Sequence, residues 1–89
     1  MIRDIFLERY PQIDLHGDDR ETARMRVKDF IEENIILGNE VIVIVHGKGE
    51  GILKKVVHEL LKDTKSVLEY KTDNFNDGCT VVKLKISLE

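Results

Sequence analysis

Two short stretches of this 89-residue chain hold the residue types that can do chemistry: Asp14-Leu15-His16-Gly17 and His46-Gly47-Lys48-Gly49-Glu50-Gly51. An imidazole moves protons near neutral pH, so His46 can act as base or acid on an attacking or leaving oxygen, with His16 in the opposite role. The Asp14 carboxylate can orient a histidine or hold a divalent cation, Mg²⁺ or Mn²⁺. Gly47, Gly49 and Gly51 permit positive φ and close backbone approach. A glycine loop that opens a helix presents free N–H groups and a partial positive charge, which together make a phosphate site. Lys48, Lys54 and Lys55 add mobile positive charge there, and Glu50 works against it. Plainer readings stand beside these. Asp14 can serve as a structural acceptor for loop N–H groups, His16 and His46 can hold the loop in shape, and the glycines can form only a tight turn.

Rival motifs fit poorly. The phosphate loop G-x-x-x-x-G-K-[ST] is absent, and the dinucleotide pattern G-x-G-x-x-G would need glycine where Ile52 stands. Cys79 is alone and no histidine pair has ligand spacing, so no zinc site is expected. His58, mid-helix beside Val57, reads as structural, and Cys79 as a small strand residue. No aromatic residue flanks the glycine loop, which argues against base stacking and for recognition of shape and phosphate.

The elements that must position these groups follow from apolar spacing. Ile2, Ile5, Phe6 and Tyr10 share a face of a short helix ending before Pro11. Gln12 to His16 alternate as a strand, with Asp14 and His16 on one side and Ile13 and Leu15 on the other. Asp18 is a candidate cap with Glu21 as its return partner. Ala23, Val27, Phe30, Ile31 and Ile35 mark a helix that stops at Gly38. Val41 to Val45 is a β-branched run, apolar on both faces, as in a central parallel strand. Its second face needs cover, for which the N-terminal segment is the first candidate and a dimer partner the next. After the glycine loop, Ile52, Leu53, Val56, Val57, Leu60 and Leu61 form a helical stripe. Val67 to Thr72 and Thr80 to Ile86 read as strands joined by the polar loop 73–78. The order β-α-β-α-β-β predicts an α/β (α+β) two-layer sandwich with a four-stranded mixed sheet. Ligands of such sheets bind beyond the carboxyl ends of the strands, where Asp14, His16, His46 and Lys48 would gather. Arg20, Arg24 and Lys28, spaced by four, form a basic stripe that is either a solvated face or a guide for a nucleic-acid backbone.

Composition bounds the answer. The length suits one domain, and 42% apolar with 35% charged residues is globular. A net charge of −3 gives no general attraction to nucleic acid, so any phosphate contact must be local. A single cysteine points to a reducing compartment, hence a cytoplasmic location. No signal peptide and no membrane-spanning run is seen.

Ile13-Asp-Leu-His-Gly17 resembles the L-D-L-H-G motif of Smr (small MutS-related) domains. Val45-His-Gly-Lys-Gly-Glu-Gly-Ile-Leu-Lys54 resembles their H-G-K-G-x-G-x-L-R motif, and Gly78-Cys-Thr-Val-Val82 the start of their last strand. The resemblance covers about residues 12–86, giving an N-terminal extension over 1–11 and an Smr domain over 12–87 of the stand-alone kind. It implies a fold similar to the C-terminal domain of translation initiation factor three. It also implies nucleic-acid binding, with endonuclease activity on DNA or RNA or, alternatively, noncatalytic binding of structured RNA or branched DNA. A protein-interaction adaptor is a weaker third class. By the motifs, Asp14, His16 and His46 are the implied catalytic residues. Gly47, Lys48, Gly49, Gly51, Lys54, Lys55, Arg20 and Arg24 are the nucleic-acid-binding ones. The family's arginine is Lys54 here, which keeps the charge but loses the planar two-pronged grip on phosphate. The sequence demands no cofactor and specifies no oligomeric state.

Overall fold

The structure, a computed structural model, describes residues 9–47, 51–73 and 78–86. The elements are β1 (Gln12–Asp14), α1 (Arg20–Leu37), β2 (Val41–Val45), α2 (Ile52–Lys62), β3 (Val67–Thr72) and β4 (Cys79–Leu84). The helix capping differs from expectation by one residue. Asp19, not Asp18, caps α1: its backbone is extended and its side chain accepts from Thr22 N at 2.7 Å. Asp18 is taken instead by Arg26, whose Nη1 lies 2.6 Å from Asp18 Oδ2. Glu21 pairs with Arg24 rather than returning to the cap. At the other end Gly38 adopts the left-handed conformation, φ 80, and its N–H closes the helix on Asn34 O and Ile35 O.

The sheet runs in the order β1-β2-β4-β3. β1 and β2 are parallel, in the register Gln12↔Val43, Ile13↔Ile44, Asp14↔Val45. β4 pairs antiparallel with both β2 and β3. The strand-helix-strand unit β2-α2-β3 therefore keeps the same strand direction at both ends, while β4 inserts between its strands. The expected mixed four-stranded sheet is the observed one, and the last strand begins at Cys79 and ends at Leu84, not Ile86.

Both helices cover one face of the sheet. The core there joins Ile13, Leu15, Ile42, Ile44, Val82 and Leu84 to Ala23, Val27 and Ile31 of α1 and Val57 and Leu61 of α2. Each fully buried aliphatic side chain contributes roughly 1.5–3 kcal/mol. On the far face Val43, Val81 and Cys79 are also buried, as the two-faced apolar pattern of β2 requires. The expectation that the N-terminal segment supplies this cover falls mostly on residues 1–8, outside the described residues, as does most of the 1–11 extension.

Candidate functional site

Parallel pairing of β1 and β2 sends both strands out at the same edge of the sheet, and each then turns into a helix. At the first turn Leu15 continues the ladder, donating its N–H to Val45 O at 2.8 Å. Asp18 N closes back on Leu15 O at 2.9 Å, with Gly17 at φ 87. Asp14 Oδ1 accepts the N–H of His16 at 2.9 Å, so one oxygen of this carboxylate holds the turn. Arg26, reaching over from α1, staples the same turn through Asp14 O at 3.2 Å and Asp18 Oδ2. Sequence reasoning did not single out Arg26. It lies off the stripe of Arg20, Arg24 and Lys28, and its partners sit in the turn preceding the helix, outside any helical spacing rule.

At the second turn His46 is buried, with 5% of its surface exposed. Its Nδ1 lies 3.1 Å from Gly47 O and its Nε2 2.7 Å from Thr80 Oγ1. The same hydroxyl stands 2.8 Å from Nε2 of His58, which projects from α2. Gly47 O can only accept, so His46 in its neutral form carries its hydrogen on Nδ1 and accepts at Nε2 from Thr80. Thr80 in turn accepts from the Nε2–H of His58. The two imidazole rings meet edge to face at 6.1 Å, and His58 meets the Tyr70 ring at 5.0 Å. Burial, then repulsion from His46 in its charged form and from Lys54, push the His58 pKa below its ordinary value.

The register divides the expected site residues between two sides of one rim. Asp14 lies across from Val45, and Val45 across from Cys79, so these three share the far face of the sheet. Exposed His16 follows Asp14. Burial, Asp73 and Asp14 push the Cys79 thiol up. His46, one residue past Val45, turns the other way, toward the helices and Thr80. The structure thus groups Asp14 with His16, and His46 with Thr80, His58 and Tyr70. Neither His58 nor Thr80 was expected at the site, and the structure places both in this hydrogen-bond chain.

Positive charge collects around the start of α2. Gly51 caps it at φ 82 with no side-chain bond, leaving first-turn N–H groups without intrahelical partners. On one side of α2 a cleft of ≈ 380 Å³ is lined by Gly51, Lys54, Lys55, His58, Lys62 and Tyr70, with Glu59 at its wall. On the other side Arg20 and Arg24 of α1 face Lys55, Ile52 and Val56 across a second cleft of ≈ 350 Å³. Part of the basic stripe on α1 therefore opens onto α2. Lys28 instead lines a separate cleft with Leu60 and Thr64. Lys48 and Gly49 lie outside the described residues. Among the described residues no group of three His, Cys, Asp or Glu side chains is placed to hold a metal ion. No helix there is long and apolar enough to cross a membrane.

A two-layer α/β module with an imidazole cluster and cationic clefts at the open end of its parallel strands is the class that this fold and rim define. The Smr domain family model matches residues 13–85, and the chain belongs to that family. It is similar to endonuclease MutS2 of Bacillus velezensis, 36% identical over 80 residues, a match covering 83% of this chain and 10% of that protein. The chain thus spans about a tenth of the length of the MutS2 relatives it matches. Its fold superposes on the crystal structure of the Smr domain of Thermus thermophilus MutS2 with a TM-score of 0.82 at 31% identity, covering 84% of this chain and 98% of that one. It also matches YdaL, a stand-alone small MutS-related protein from Escherichia coli, with a TM-score of 0.81 at 25% identity, covering 91% and 72%.

Proposed function

We propose that this chain binds nucleic acid through its phosphate backbone and cleaves a phosphodiester at the rim where β1 and β2 end. The observation that carries this reading is the placement of His46. Its ring is fixed between Gly47 O and Thr80 Oγ1 where the glycine loop begins, and that loop leads to a helix start capped by Gly51 without a side-chain bond and flanked by Lys54 and Lys55. Backbone N–H groups and lysines stabilise the charge that develops on a phosphorane. Arg20 and Arg24 extend the positive surface for neighbouring phosphates, and Lys48 and Gly49 are proposed to complete the loop contact. Asp14 and His16 act from the other side of the rim. A divalent cation fits only if shared with the substrate, because Asp14 would bring one carboxylate and phosphate oxygens and water would complete the shell. Such a cation would supply Lewis-acid polarisation of the phosphoryl oxygen.

The test uses supercoiled plasmid and labelled stem-loop RNA, each with Mg²⁺, with Mn²⁺ and with chelator. The wild type is expected to cut at least one substrate, and His46→Ala to lose the cut while remaining folded. Equal cutting by both proteins ends the nuclease assignment. One observation favours a second reading, a noncatalytic binding module: both His46 nitrogens and one Asp14 oxygen are already engaged within the protein, by Gly47 O, Thr80 Oγ1 and His16 N–H. Binding without cutting by the wild type is its signature.

A further inference from the structure

We propose that His58 is the proton-accepting catalytic residue of the rim, working from the ≈ 380 Å³ cleft through a hydrogen-bonded chain His58–Thr80–His46. This rests on the phosphodiester-cleavage reading above. His46 has both ring nitrogens engaged inside the protein and is 5% exposed, so it is poorly placed to exchange a proton with substrate. His58 is the half-buried imidazole of the cluster. Its Nε2 is held at 2.8 Å by Thr80, and Nδ1 has no hydrogen-bond partner among the described residues. The chain has one consistent direction at neutral charge. Gly47 O fixes the hydrogen of His46 on Nδ1, Thr80 donates to His46, and His58 donates Nε2–H to Thr80. A bare Nδ1 lone pair is thereby left on the ring that lines the cleft.

The groups around that ring suit a base for phosphoryl chemistry. Lys54, Lys55 and Lys62 stand in the same cleft on α2, Glu59 at its wall, Tyr70 against the ring from β3, and His46 behind it just past β2. Burial first, then repulsion from His46 in its charged form and from Lys54, favours the neutral imidazole, the form that can take a proton near pH 7. An arriving phosphate would offset Lys54 and Lys62 and make the imidazolium easier to form. In the step, the attacking hydroxyl, from water or from an RNA 2′-oxygen, forms its bond to phosphorus and gives its proton to His58 Nδ1. The bond from phosphorus to the leaving oxygen breaks with its electron pair on that oxygen, which takes a proton from solvent. Thr80 and His46 are positioning residues that hold the tautomer, as the buried partner of a catalytic histidine commonly does.

Two measurements test this. ¹⁵N imidazole spectra of the wild type at neutral pH are expected to show His58 protonated on Nε2 and His46 on Nδ1. The opposite tautomer of His58 overturns the proposal without any activity being needed. Single-turnover cleavage by His58→Gln is expected to fall about 100-fold or more and to lose the acid limb of the wild-type pH profile, with affinity for an uncleavable phosphorothioate substrate changed less than about threefold. Wild-type cleavage that His58→Gln leaves intact overturns the role of His58 and spares the cleavage reading. Wild-type protein that binds and never cuts overturns the cleavage reading, and this role with it.

Discussion

Replacing Thr80 by valine removes one hydroxyl from the centre of the imidazole cluster while keeping the shape of the side chain. Thr80 is fully buried and its hydroxyl serves His46 at 2.7 Å and His58 at 2.8 Å. The two partners do not lose equally. His58 is half-buried and lines an open cleft, so water can replace its lost acceptor. The Nε2 of His46, in a residue 5% exposed, is left buried without that donor. Leaving that acceptor buried without its donor costs about 1–3 kcal/mol, which is the destabilisation expected of Thr80→Val. Thr80→Ser keeps the hydroxyl and deletes a methyl group, for about 1 kcal/mol. Urea unfolding of the three proteins at pH 7.5 reads the difference, with the valine midpoint below that of serine. The whole domain is expected to hold only about 4–13 kcal/mol, so the effect is large enough to see. A valine variant as stable as the serine variant would refute the bridging hydroxyl and the tautomer chain built on it.

The fold lowers the His58 pKa from its ordinary 6.5, so the unfolded chain takes up a proton that the folded chain resists. Stability present above that pH is therefore lost as pH falls below it, and His58→Gln should show a shallower loss of melting temperature on acidification. Identical acid slopes for the two proteins would contradict the desolvated imidazole. Gly38→Ala places a side chain at φ 80 in open space, so only backbone strain acts, about 1 kcal/mol by denaturant melt; an unchanged midpoint would mean the helix end is formed differently. Cys79, buried with its thiol pKa raised by burial and by Asp73 and Asp14, should resist iodoacetamide in the native protein and react freely in urea. Equal rates in both states would place the sulfur at the surface.

The architecture was readable because each element carries its own signal. The β-branched run Val41–Val45 has two apolar faces and lies between two strands, with Val43 and Ile44 buried on opposite sides. The alternation of Gln12 to His16 likewise matches the observed exposure of Gln12, Asp14 and His16 against buried Ile13 and Leu15. What the sequence could not supply was register between strands. A common pocket for Asp14 and His46 requires them to point the same way. The observed partner of Asp14 is Val45, one residue short of His46, and a one-residue offset inverts the face. The placement of β4 between β2 and β3 was hidden for the same reason, and with it the value of Thr80 and His58, which lie 22 residues apart. Nothing in the run Val57-His58-Glu59 marks the histidine as other than a helix residue. Its meaning comes from a hydroxyl on a strand that only the sheet order brings beneath it. Asp18 and Asp19 show the limit of local rules as well. Either acid satisfies the capping pattern, and the choice is made by Arg26, eight residues beyond Asp18.

Charge balance leads to a related conclusion about how this domain could meet a polyanion. The chain carries −3 overall, so attraction at a distance is weak and an encounter must be decided by the last few ångströms, within a Debye length of about 8 Å. At that range the molecule is not uniform. Arg20 and Arg24 on one side of α2 and Lys54 and Lys62 on the other share Lys55 between their clefts. The helix adds its N-terminus, capped by Gly51 without a side-chain bond, between them. Glu59 reaches both clefts and Glu21 ties down Arg24, so the cations are partly neutralised until a phosphate competes for them. An arrangement of this kind favours ligands that present several phosphates in the right places over ligands that merely carry negative charge. Discrimination by spacing, rather than by net attraction, is what a slightly acidic protein needs if it is to act on nucleic acid without adhering to all of it.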